Sequence, residues 1–159
     1  MAQLSTLGNN AMSTPTTSTD TSPSLWNPNA AACWSLLFSP AFGAFLHARN
    51  AESLGRLDEA KANWVWFYIS LGYLGFVLAS IFVPVIPNIL FDGVAIGILL
   101  GWYFSLGKKQ IQYVKETCQS RYQRKPWAKP LLVGFGCMLG YLGVSVILGI
   151  IASSLFGIK

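Results

Sequence analysis

The sequence predicts an all-α membrane protein: four transmembrane helices arranged as two hairpins behind a disordered polar tail. Three observations carry this. Apolar residues make up 53% of the 159-residue chain and charged residues only 11%, against about 25% charged in average soluble domains. The apolar residues fall in blocks too long for ordinary core helices. Ten of the eleven Lys and Arg residues lie in two stretches between those blocks, where basic side chains resist translocation.

Residues 1–25 form the tail. Eleven of them are Ser or Thr and Asp20 is the only charge, so the segment has too little apolar surface to offset its ordering entropy. It has neither the basic n-region nor the apolar h-region of a signal peptide. The first span is expected over about 28–47. Asn27 suits an N-cap and Pro28 the first helical position, whose N–H would be unpaired in any case. Ala30–Leu46 carries no charge but is short for a crossing. Pro40 removes an internal hydrogen bond and predicts a kink near Ser39, which leaves a re-entrant helix as the alternative.

Residues 47–63 balance three basic against three acidic side chains and read as a solvated helix or helix pair, with Glu52 and Arg56 at i,i+4. The single His47 lies near Glu52, Asp58 and Glu59, but without the spacing of a metal site, so it reads as a surface histidine. The second span, 64–85, opens on Trp64 and Trp66, which suit the headgroup level. Pro84 and Pro87 bound a short turn, and the third span runs over 89–106. Asp92, near its start, is an N-cap or interfacial acid on the plain reading, and a buried ion or proton ligand on the sharper one.

Gly93, Gly97 and Gly101 repeat every fourth residue in the third span, and Gly136, Gly140 and Gly143 form a similar face in the last span, 131–156. Small-residue faces let helices approach closely in lipid. They predict contact between these two helices, or a face kept for another subunit. A second recurrence, Leu71–Gly75 repeated as Leu139–Gly143, is compatible with a duplicated helix pair.

The loop 107–130 holds seven of the eleven Lys and Arg and one acid, Glu116. Ile111, Val114, Cys118 and Tyr122 make one apolar stripe among Lys108, Lys109, Lys115 and Arg121, the pattern of a basic amphipathic helix lying on the inner membrane surface. With both basic loops cytoplasmic, both termini are expected outside. The net charge of +5 then reflects membrane orientation and attraction to anionic lipid rather than nucleic-acid binding.

The stretches WNPNAAACWSLLFSPAFGAFLHARN and QYVKETCQSRYQRKPWAKPLL resemble segments of small, uncharacterised bacterial membrane proteins. The resemblance implies a bacterial inner membrane and carries across no catalytic residue.

Chemistry is marked mainly by what is missing from the sequence. Cys33, Cys118 and Cys137 lie in separate segments, with no CxxC pair. There is no Walker loop, nucleophile elbow or paired carboxylate, and neither metal nor cofactor is implied. Asp92 is the only acid inside the expected spans, which hold no Lys, Arg or Glu, and this disfavours a coupled pump. The expectation is a non-enzymatic protein that acts by binding another membrane protein or itself. An immunity protein that neutralises a pore-forming toxin is the specific form. A small oligomeric channel or solute facilitator, and a structural lipid-organising protein, are the alternatives.

Overall fold

A computed structural model describes residues 22–83, 88–119 and 121–157. The tail through residue 21 and the turn at 84–87 lie outside the described residues. The protein is mostly helical. In order come β1 (Ser24–Leu25), α1 (Pro28–Leu37), α2 (Pro40–Ser53), α3 (Leu57–Ser80) and α4 (Asn88–Trp102). A π-helical turn (Tyr103–Gly107), α5 (Lys108–Thr117), β2 (Gln123–Arg124) and α6 (Ala128–Phe156) complete the chain. Among these, α3 and α6 are each long and apolar enough to cross a membrane.

α1 starts as its sequence dictates. Asn27 Oδ1 accepts from the Asn29 and Ala30 N–H groups at 3.0 and 3.3 Å, and Pro28 occupies the first turn. The expected kink is instead a full reversal. Ser39 is extended (φ 165°, ψ 164°), and α2 runs back antiparallel along α1. The pairings read like rungs: Ser35 faces Gly43, Pro28 O accepts from His47 Nε2 at 3.0 Å, and the Trp26 backbone pairs with the Asn50 amide. Ten residues at 1.5 Å each make α1 about 15 Å long, roughly half of a bilayer core. The segment 28–47 is therefore a helical hairpin, and the re-entrant alternative matches this geometry where a single kinked span does not.

Close approach is possible because the facing residues are small. Ala31 and Ser35 on α1, and Ala41, Gly43, Ala44, Ala48 and Ala51 on α2, are buried. A Cβ on Gly43 would sit 1.9 Å from Ser35 Oγ and 2.6 Å from the Trp102 ring. Gly43→Ala is thus expected to destabilise the fold by about 1–3 kcal/mol through overpacking, read as a lowered melting temperature in detergent.

α2 does not stop at His47 but continues to Ser53. It ends in a Schellman turn, with Arg56 N–H on Ala51 O at 2.9 Å and Gly55 N–H on Glu52 O at 3.0 Å. Gly55 takes the left-handed conformation this turn needs (φ 70°). α3 then leaves directly, packed on α2 through Phe45 against Trp64 and Phe67.

α4, the π-helical turn and α5 follow one another with helical backbone at both junctions. The basic helix is therefore an extension of α4, as a helix continuing past Leu106 would be. Of its predicted stripe, Val114 is buried beside Gln110, and Tyr113 stacks under Arg56 with the guanidinium 3.8 Å from the ring centroid. Ile111, Cys118 and Tyr122 of the stripe are only half-buried.

β1 and β2 pair in parallel, Ser24 with Gln123 and Leu25 with Arg124, and Leu25 is fully buried. Trp26 Nε1 donates to Pro126 O at 3.1 Å. The start of the described chain therefore sits at the same end of the molecule as the 54–56 turn and the 118–127 loop. The sequence reading placed the tail outside for a full first span and on the side of the basic loops for a re-entrant one; the tail itself lies outside the described residues. α6 departs from this basic end and runs about 44 Å to Gly157, which closes it in the left-handed conformation (φ 63°).

Candidate functional site

The densest chemistry lies in a polar core at the basic end, where α1, α2, α3, α4 and α5 converge. Its fully buried members are His47, Asn50, Asn63, Trp102 and Gln110. None had been singled out as a buried site, and His47 had been read as a surface residue.

His47 is the hub. Pro28 O can only accept, so His47 Nε2 carries the proton and Nδ1 keeps the lone pair. The ring meets Trp102 edge-on, with centroids 5.0 Å apart. Gln110 Nε2 donates to the His47 carbonyl at 2.8 Å and thereby ties α5 to α2. Trp102 Nε1 donates to Asn63 Oδ1 at 2.9 Å, while Asn63 Nδ2 donates to Glu59 O at 2.9 Å. His47 Nδ1 and Gln110 Oε1 are buried without a partner among the described residues. Burial holds the His47 pKa down at about 4, against a small opposing pull from the Pro28 carbonyl. The ring is neutral at pH 7.

Around this core the charged groups are neutralised in pairs. Arg49 meets Glu52 at 2.9 Å, Arg56 meets Glu59, and Lys61 lies 3.7 Å from Asp58. Glu52 also accepts from Trp64 Nε1 at 2.9 Å. Lys125 reaches Ser53 Oγ at 3.1 Å over the Trp26 ring. Its pKa is lowered by burial and by nearby Arg49, with Glu52 opposing. Lys108, Lys109, Lys115 and Arg121 belong to no ion pair among the described residues.

The glycine faces divide. Gly101 packs against Trp66 of α3, its Cβ position 3.0 Å from the ring. Gly93 and Gly97 on α4, and Gly136, Gly140 and Gly143 on α6, meet nothing within 4 Å. Among the described residues these glycines are not packed between the third and last spans, which leaves the alternative of a face kept for another subunit. α6 instead touches the hairpin through Gly134 against Phe38 and Phe42, and through Phe135 edge-on to Phe38. Farther along, Tyr141 OH donates to Leu74 O of α3 at 3.4 Å. Most of α6 is uncovered. Asp92 is exposed on α4 among the described residues. The three cysteines are free, and no group of metal-ligating side chains gathers among the described residues.

What this arrangement does chemically is hold. Amide, imidazole and indole groups spread over four helices lock the hairpin to the helix ends. Compared with known proteins, no family model, no curated protein and no solved structure matches the chain.

Proposed function

We propose that this is a multi-pass bacterial inner-membrane protein that works by docking another membrane helix, from a partner or a second copy, against its open glycine faces. In this reading α3, α4 with its π-helical turn, and α6 cross the bilayer, and the α1–α2 hairpin enters and leaves on the cytoplasmic side. The basic end faces the cytoplasm, which keeps ten of eleven Lys and Arg on that side. The 84–87 turn and the C-terminus then face outward, and the N-terminal tail faces inward.

The observation that carries the docking reading is α6: a 29-residue apolar helix whose buried residues are only Pro130, Gly134 and Ala152. Its Gly136–Gly140–Gly143 face is open, as is Gly93–Gly97 on α4. Without a hydrophobic drive between helices, such faces are where backbones approach and associate in lipid. Neutralisation of a membrane-targeted toxin is the specific activity proposed for them.

Gly97→Leu and Gly140→Leu test this cleanly, because each new side chain meets open space within the protomer. Stability is expected to stay within about 0.5 kcal/mol of the parent, while a co-purifying membrane partner or homodimer is lost. Undiminished association in both variants would refute docking through these faces. For the toxin reading, deletion of the gene is expected to be lethal only while a neighbouring toxin gene is intact. Equal growth with and without that neighbour would refute it.

A further inference from the structure

On the membrane arrangement proposed above, the hairpin reverses direction inside the apolar layer, and the reversal leaves peptide groups unpaired among the described residues. The helical partner of the Leu36 carbonyl is Pro40, which has no N–H. The partner of the Ser35 carbonyl is the Ser39 N–H, which makes no backbone bond among the described residues. Ser39 also forms no side-chain cap on α2. These groups lie about 15 Å from the basic end, level with Ser70 and Tyr73 of α3.

The same residues line a cavity of about 320 Å³, between the hairpin tip, α3 and α4. Its walls are apolar apart from Ser35, Ser39, Ser70 and Tyr73, and no charged side chain lines it. Ser35, Ser70 and Tyr73 spend their hydroxyl protons on the carbonyls of Ala31, Trp66 and Phe91. Their oxygens remain acceptors, as do the two free carbonyls. The tip thus offers several acceptors and, at Ser39, a donor.

Unpaired peptide groups cost several kcal/mol in hydrocarbon, and irregular backbone persists at such depth where it is buried in protein or lines a water-filled space. Broken half-helices that meet in mid-membrane build solute sites in the same way. We propose that the hairpin tip lines a hydrated cavity within the bilayer, a site for small uncharged molecules that donate hydrogen bonds, water first among them. Uncharged molecules are favoured because no charged side chain lines it to balance an ion.

Thiol chemistry tests this, since the reactive species is the thiolate, which needs water. Cys33, Cys118 and Cys137 are replaced by Ser, and single cysteines are placed at Ser39, at Leu37 of the same cavity, at loop residue Gln119 and at Ile147 on the exposed face of α6. Membranes are treated with methyl methanethiosulfonate. Ser39→Cys is expected to react within about tenfold of Gln119→Cys, and the cationic trimethylammonium analogue at least about tenfold more slowly than the neutral reagent. Reaction of Ser39→Cys as slow as Ile147→Cys would overturn the proposal, whether lipid or a helix fills the space. Equal rates for the neutral and cationic reagents would overturn its restriction to uncharged molecules. If Ser39→Cys is not monodisperse, Leu37→Cys reads the same cavity. The rates are read in parallel with the association of Gly97→Leu and Gly140→Leu, so this proposal and the docking proposal fail separately.

Discussion

Trp102→Ala is expected to lower the unfolding free energy by about 3–5 kcal/mol, the range for deleting a fully buried large aromatic side chain. Trp102 has no exposed surface. Its ring fills the space left by Gly43 and Gly107 and stands against His47, and its N–H is the donor for Asn63. One side chain therefore joins α2, α3 and α4. Trp102→Phe separates packing from hydrogen bonding: most of the apolar body stays, but Asn63 Oδ1 is orphaned, at a cost of about 1–3 kcal/mol. Adding Asn63→Leu to Trp102→Phe should recover part of that loss. Thermal or denaturant unfolding in one detergent measures all three variants. A Trp102→Ala protein within about 1 kcal/mol of the parent would mean that the polar core does not hold the fold.

The second large effect is a loss of stability in acid. The folded His47 pKa is about 4 and its ordinary value is 6.5. Above pH 6.5 both folded and unfolded chains hold the ring neutral. As pH falls toward 4, the unfolded chain takes up the proton and the folded chain does not, so stability declines by about 1.4 kcal/mol per pH unit. Below pH 4 both are protonated and the decline ends. The full loss is about 3 kcal/mol. The chain has a single histidine, so comparing the parent with His47→Gln isolates this contribution from carboxylates that titrate nearby. The parent should lose about 3 kcal/mol more than the variant between pH 7 and pH 4. Equal losses would show that the ring is solvated.

Much of the helical framework was legible because it depends on composition and local chemistry. The Asn27–Pro28 start, the break at Pro40, the apolar run of α3 and the long α6 were all readable from residue type and spacing. The hairpin was harder, since a kink and a reversal share the same proline. What decides between them is the extended backbone at Ser39 and the pairing of Trp26 with Asn50, twenty-four residues apart.

His47 was misread for a different reason. Flanking charges made 47–63 look solvated, yet Ala41, Ala44, Ala48 and Ala51 fall at i, i+3, i+7 and i+10, a small-residue helix face that continues straight through His47 to Gly55. That periodicity was the available signal. The basic stripe of α5 was visible, but periodicity cannot say whether such a face meets lipid or protein. Val114 of the stripe is buried, and Gln110 and Tyr113 on the adjoining face contact α2 and Arg56. The glycine repeats were equally plain, and only the positions of neighbouring helices reveal that Gly101 is filled while Gly97 and Gly140 are open.

Side-specific labelling of the tail tests the central claim most directly, namely that the first apolar segment enters and leaves the membrane on one side. Single cysteines at Ser18, Gln119 and Gly157 in the cysteine-free protein are exposed to an impermeant thiol reagent in right-side-out and inverted vesicles. Ser18→Cys and Gln119→Cys should label together in inverted vesicles, and Gly157→Cys in right-side-out vesicles. Labelling of Ser18→Cys and Gln119→Cys from opposite sides would contradict the hairpin, and the account of the fold with it.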